Sequence, residues 1–348
     1  MDHSPDHTVG LDQTRGRIRP FAVLVLTLVG LAVLSTGSRA AEDFLIRDEL
    51  VPRSDGFVSH VRVYGPKEIP ANGESVVVLP SLGRGVEDFT EAFGSNLTTR
   101  LAQEGFEVVL IQPRGFGQST GDITPENVTM QTLVADIKQV LDQQGVAEAH
   151  FVGHAFGNRL ARSFATMHPD YVLDVTLLAA GGQVPLTWPQ KQALFCSIRQ
   201  EESTRLGCIE TAFFAPGNDA SIWLYGWNSP VADMEATAST SNLDVDFIAA
   251  GGKPILLIQP LDDFIAPPED AGQLLKELLG DQVSYREIDN AGHALLPEQP
   301  DAVANQIINY YEPQANSAIP LLGSLGALVL AGLLGWVALY RLSTASGR

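Results

Sequence analysis

Phe151-Val152-Gly153-His154-Ala155-Phe156-Gly157-Asn158 is the stretch on which the reading of this chain turns. The apolar run 149–152 reads as a short buried strand, and residues 159–167 read as a helix. Gly153 and Gly157 bracket a sharp turn between the two, at positions where a side chain would collide with neighbouring backbone. A strand, tight turn and helix in this order form an elbow whose middle residue is the one a nucleophile would occupy. Here that residue is Ala155, whose methyl group has no lone pair and no proton to give up.

The same pattern extends outward from the elbow. Residues 76–79 and 108–111 are continuous apolar runs, as in strands buried on both faces. Residues 57–64 alternate partly, as a half-exposed strand does. The spacing of Phe89, Phe93, Leu97 and Leu101 predicts one helix over 86–103, and Leu133, Ile137 and Leu141 predict another over 128–143. Beyond the elbow, strands are expected at 175–180, 254–258 and 282–288, and helices at 269–279 and 302–311. Such alternation implies an α/β class with a mostly parallel central sheet covered by helices on both faces. From 183 to about 250 the pattern stops; Trp188, Trp223, Trp227 and both cysteines fall there. This segment reads as a lid inserted over the carboxyl edge of the sheet.

Two further positions complete an order of elbow, acid and histidine. Asp262 and Asp263 follow the expected strand 254–258, and Gly292-His293 follows the expected strand 282–288. That edge is where open α/β sheets bind ligands. A carboxylate that accepts the Nδ1 proton of an imidazole leaves Nε2 free as a base.

With the elbow, Pro113-Arg114-Gly115-Phe116-Gly117, Asp263 four residues before Pro267, and Gly292-His293 together, the chain from 75 to 311 resembles the α/β-hydrolase superfamily. The resemblance implies that fold, with Asp263 as the acid, Asp262 as the fallback and His293 as the histidine. It places the oxyanion donors at the backbone N–H groups of Phe156 and Leu82. Two departures stand out. Pro80-Ser81 replaces the His-Gly of many members, which is tolerable because backbone does the donating. Ala155 replaces the Ser, Cys or Asp nucleophile, so no covalent intermediate can form there. Two readings stay open: a His293–Asp263 dyad acting without a covalent nucleophile on a small apolar ester or carbonyl compound, or an inactive protein that binds a small ligand or partner. Ser81 reads as a turn former, His154 as a structural hydrogen bonder and Arg114 as a turn anchor. Asn158 and Arg159, at a helix start, read as capping and salt-bridge residues.

The ends of the chain concern location. Arg15, Arg17 and Arg19 precede the apolar run 21–34, and Ser38-Arg39-Ala40 supplies small residues for a cut after Ala40. Residues 1–40 are therefore expected to be a signal peptide or an uncleaved N-terminal anchor, with the body spanning 41–316. Residues 319–340 carry no charge and are long enough to cross a bilayer as a helix. A short basic tail, 341–348, holds Arg341 and Arg348. Pro320, the span and this tail resemble bacterial C-terminal sorting signals. Both ends place the body outside the cytoplasm, periplasmic or at the cell surface, tethered through the C-terminal helix. There Cys196 and Cys208 are expected to pair, the alternative being two free buried thiols. Two cysteines do not make a metal site, and no metal or cofactor is expected.

Net charge is -19; with +1 on residues 1–40 and +2 on 313–348, the body carries -22. Such acidity argues against nucleic acid and against adsorption on anionic lipid. A small-molecule substrate or ligand is the partner expected. At 45% hydrophobic residues the chain can bury a sizeable core.

Overall fold

In the computed structural model, which describes residues 44–66, 74–240 and 247–317, alternate residues of each strand feed opposite sides of one sheet. The strands are β1 (Phe44–Pro52), β2 (Val58–Pro66), β3 (Ser75–Leu79), β4 (Glu107–Ile111), β5 (Ala149–His154), β6 (Val172–Leu178), β7 (Ile255–Pro260) and β8 (Val283–Ile288). Their order is β1-β2-β4-β3-β5-β6-β7-β8. The two pairings of β2, with β1 and with β4, are antiparallel; all pairings from β4 through β8 are parallel. Because β3 lies between β4 and β5, the winding reverses at its carboxyl end, which opens a crevice there.

Period-two side-chain direction explains the two cores. Val77, Val109, Phe151, Leu177 and Leu257 face one side. There they meet α2 (Met130–Gln144), α3 (Phe156–Met167) and α7 (Gly272–Leu279). Val76, Val78, Leu110, Val152 and Ile258 face the other, against α1 (Leu97–Gln103), α8 (Leu295–Glu298) and α9 (Pro300–Ser317). Continuous apolar strands are what two covered faces require. Thr129 caps α2 by accepting the N–H of Thr132, while the Thr132 hydroxyl accepts the N–H of Thr129.

Two expected helices are broken: 269–279 is a 3-10 turn, Pro268–Asp270, followed by α7, with Ala271 at φ -130° and ψ -95° between them, and 86–103 is the other. Residues 86–103 are not a single helix but two short 3-10 turns, Val86–Phe89 and Glu91–Phe93, followed by α1. Thr90 is extended and Gly94 takes φ 80°, and neither conformation continues a helix. Phe89, Leu97 and Leu101 are buried all the same, so the four-residue spacing reports burial and not one continuous helix.

Between β6 and β7 lie α4 (Trp188–Arg199), α5 (Glu202–Phe213) and α6 (Ser229–Thr240). Cys196 on α4 and Cys208 on α5 are disulfide-bonded, with Cα atoms 5.7 Å apart. The expected N-terminal signal, the span 319–340 and the basic tail lie outside the described residues. Among the described residues no helix is long and apolar enough to cross a membrane.

Candidate active site

The elbow is built by steric exclusion. A Cβ on Gly153 would lie 2.6 Å from the backbone nitrogen of Asn158, and one on Gly157 would lie 2.8 Å from the Pro80 carbonyl oxygen. Real side chains do not fit at such distances, so β5, α3 and the loop after β3 can pack this closely only through glycine. The turn forces Ala155 to φ 49° and ψ -106°. A non-glycine residue there costs on the order of 1–3 kcal/mol, which the surrounding contacts must offset. The N–H of Ala155 donates to the Leu178 carbonyl at 3.1 Å. Asn158 adds a two-sided clamp on the same residue: its amide nitrogen donates to the Leu178 carbonyl at 2.7 Å and its oxygen accepts the Leu178 N–H at 3.0 Å. Asn158 is therefore a strand clasp and not a helix cap.

Of the two candidate acids, Asp263 is buried and Asp262 is exposed. Asp263 Oδ1 accepts the N–H groups of Ile265 and Ala266 at 2.9 and 2.8 Å. His293 Nδ1 lies 2.9 Å from Asp263 Oδ2 and 3.1 Å from Oδ1. A carboxylate that already accepts two amides also accepts from Nδ1, which leaves the Nε2 lone pair unused. Among the described residues Nε2 meets no hydroxyl or thiol.

The histidine loop is held from below and from the side. His154 Nε2 donates to the backbone carbonyl of His293 at 2.8 Å. Burial, then the neighbouring His293, pushes the pKa of His154 down to about 3, so its ring is neutral. Glu298 accepts the N–H of Gly292 and of Ala215, both at 2.7 Å, joining this loop to the end of α5. Phe213 presents its ring 5.8 Å from that of His293.

The loop after β3 carries Ser81 and Leu82 into the same space. Its Gly83 N–H donates to Glu235 of α6 at 2.7 Å, and its Gly83 carbonyl accepts from Asn228 at 2.9 Å. Burial raises the Glu235 pKa to about 8, so the carboxyl is protonated at neutral pH. Arg84 is fully buried: it pairs with Asp88 at 2.6 Å and its guanidinium lies 4.4–4.9 Å from the ring centres of Phe93, Trp223 and Trp227. These contacts are worth more when desolvated. They tie the loop to the segment between α5 and α6.

Ala155, Phe156, Ser81, Leu82 and His293 all line one cavity of about 290 Å³. Its walls are mainly apolar, with Leu194, Phe195, Phe213 and Trp227 contributed by the segment between β6 and β7. Arg114 lies elsewhere, bonded to Asp136 at 2.6 and 2.8 Å and to Asp55 at 2.9 Å, as a turn anchor. Arg159 does line the cavity, and the salt bridge expected of it is absent among the described residues. Sequence reasoning passed over Glu235, Glu298 and Arg84; Glu235 and Glu298 reach Gly83 and Ala215 across long sequence separations, whereas Arg84 and Asp88 stand four residues apart, a signal that could have been read.

Residues 74–215 match the family described as alpha/beta hydrolase fold. The chain is 40% identical over 70 residues to epoxide hydrolase B of Mycobacterium tuberculosis, a match covering 20% of each protein. It is 24% identical over 220 residues to a putative carbamate hydrolase of Azorhizobium caulinodans, covering 59% of this chain and 80% of that one. The esterase from Exiguobacterium antarcticum superposes with a TM-score of 0.63 at 17% identity, over 76% of this chain and all of that one. The chain thus spans about a fifth of the length of the first of these curated relatives. The family match is confined to residues 74–215, and the likeness to the solved structure is one of fold.

Proposed function

We propose that this protein is an exported, membrane-tethered hydrolase that uses His293 and Asp263 on a small apolar ester or carbonyl compound without a covalent nucleophile. One observation carries the reading. An intact imidazole–carboxylate pair opens onto the same apolar cavity as a methyl group at the nucleophile position. A water molecule in the room left by the missing hydroxyl is the attacking group. His293 Nε2 takes one of its protons while its oxygen bonds to the substrate carbonyl carbon. Asp263 stabilises the imidazolium. The N–H groups of Leu82 and Phe156 hold the developing oxyanion, the latter aided by the N-terminal end of α3. The bond to the leaving oxygen then breaks, and His293 returns the proton to it.

The helices α4–α6 act as the lid, supplying apolar surface over the reacting carbon. The disulfide between α4 and α5 fits an oxidising compartment, which agrees with the export signal and the C-terminal span read from the sequence. That curated relatives include an epoxide hydrolase and a putative carbamate hydrolase supports hydrolysis as the reaction class.

The methyl of Ala155 also favours a second reading, a binding protein whose machinery is idle. The two are separated by assaying the purified protein on aryl esters beside Ala155→Ser and His293→Ala. Turnover in the parent that disappears in His293→Ala supports the water mechanism. Turnover confined to Ala155→Ser supports binding alone.

A further inference from the structure

Arg159 lies on α3 four residues beyond Ala155, one helical turn or about 6 Å along the axis, on the same face. Its guanidinium sits at the wall of the cavity. One nitrogen, Nη1, donates to the Ser239 carbonyl at 2.7 Å near the end of α6. Nη2 packs so closely on Gly182 that a Cβ there would lie 2.6 Å from it. The ring of Phe247 lies 5.3 Å away. No carboxylate pairs with Arg159 among the described residues. Buried arginines ordinarily have a counter-ion, since an unpaired buried charge is costly. Burial accordingly pulls its pKa below the usual arginine value, and among the described residues no acidic neighbour acts in the other direction.

The rest of the wall has the same sign. Lys191, exposed on α4, also lines the cavity, and among the described residues neither Asp nor Glu joins the wall. This contrasts with a body of net charge -22. An acidic protein has thus placed a half-buried guanidinium, unpaired among the described residues, and a second cation around a mainly apolar hole beside the elbow. Guanidinium is suited to carboxylates through two parallel N–H donors, and low dielectric strengthens the pair.

The geometry points to a substrate or ligand class for this cavity: an apolar molecule ending in a carboxylate, whose carboxylate is held by Arg159 while its other end reaches Ala155 and His293. This rests on reading the cavity as the ligand site, but not on whether the site turns its ligand over. Arg159 is then the residue that sets specificity, with Lys191 drawing the anion toward it.

The test is binding, followed through the fluorescence of Trp227 in the cavity wall and confirmed by calorimetry. The probes are 5-phenylpentanoate and the uncharged 5-phenylpentanamide, which differ only at the polar end. The parent protein is expected to bind the acid at least ~10-fold more tightly, with the preference falling as salt rises. Arg159→Gln is expected to bind the two probes within about 2-fold of each other while retaining the amide affinity. Arg159→Lys is expected to keep part of the preference, as a point charge without the fork. Equal binding of acid and amide by the parent, or no saturable binding of the acid, overturns the proposal even if no variant folds. A full preference surviving in Arg159→Gln overturns it as well. None of these outcomes depends on turnover, so ester hydrolysis lost in His293→Ala bears on the dyad alone.

Discussion

His154 and His293 are joined through one hydrogen bond, from His154 Nε2 to the His293 backbone carbonyl, across 139 residues of sequence. The strand that ends in the elbow thereby fixes the loop that carries His293. A neutral ring is required, because its other nitrogen, Nδ1, is buried without a partner. The unfolded chain takes up a proton on this residue near pH 6.5, the folded protein only near 3. Between those values acid favours the unfolded state, at up to about 1.4 kcal/mol per pH unit. His154→Phe is expected to be less stable than the parent by ~1–3 kcal/mol at pH 7.5, with its new unpaired carbonyl as the cause. The gap should close as pH falls below 5, because the parent alone carries this titration. Urea unfolding at both pH values checks it; a gap that stays constant would show that burial of the ring is not the source.

Glu235 titrates with the opposite consequence. Its folded pKa of about 8 lies above the ordinary 4.5, so the folded protein holds a proton that the unfolded chain has released. The stability it contributes is present below pH 4.5 and declines as pH rises toward 8. Glu235→Gln keeps an oxygen for the Gly83 N–H and cannot ionise. It is expected to gain on the parent by more than ~1 kcal/mol between pH 5 and pH 8 in urea midpoints. A variant less stable than the parent at pH 8 would refute a protonated Glu235.

Gly157 and Gly207 should respond to alanine in opposite directions. A Cβ at Gly157 meets the backbone of Leu79 and Pro80, whereas one at Gly207, inside α5, meets nothing within 4 Å. Gly157→Ala is expected to cost ~3 kcal/mol or prevent folding. Gly207→Ala is expected to add ~0.5–1 kcal/mol. Thermal unfolding of the two variants side by side decides this; a tolerated alanine at 157 would mean that the elbow can open.

Arg84 is the cation that Asp88 needs. Both are buried, and burial pushes the Asp88 carboxyl up while Arg84 pulls it down, with burial prevailing. Arg84→Met is expected to destabilise by ~3–5 kcal/mol, and Arg84→Met with Asp88→Leu to recover most of that loss. Denaturant unfolding measures both. If the double variant is no better than the single one, the packing of Arg84 against Phe93, Trp223 and Trp227 carries the energy instead.

Several features were legible because they are local. Apolar runs of strand length gave the sheet, four-residue spacing gave buried helical faces, and two glycines gave the elbow. The missed break at Thr90 and Gly94 shows the limit of spacing: a residue can be buried at helical intervals without a continuous helix. The resemblance put Asp263 first and Asp262 as the fallback; the turn that aims the Asp263 carboxylate at Ile265, Ala266 and His293 is written in no local pattern.

By itself the sequence determined the α/β architecture, the elbow with Ala155 at its centre and the acid-then-histidine order, since each is written in residues a few positions apart. The tertiary structure decided which partners the polar groups found. Gly83 meets Glu235 at a separation of 152 residues, and Arg159 lines a mainly apolar cavity with no carboxylate partner among the described residues. Burial sets the charge of Glu235 and lowers the pKa of Arg159, and burial belongs to the packed chain and not to any stretch of it.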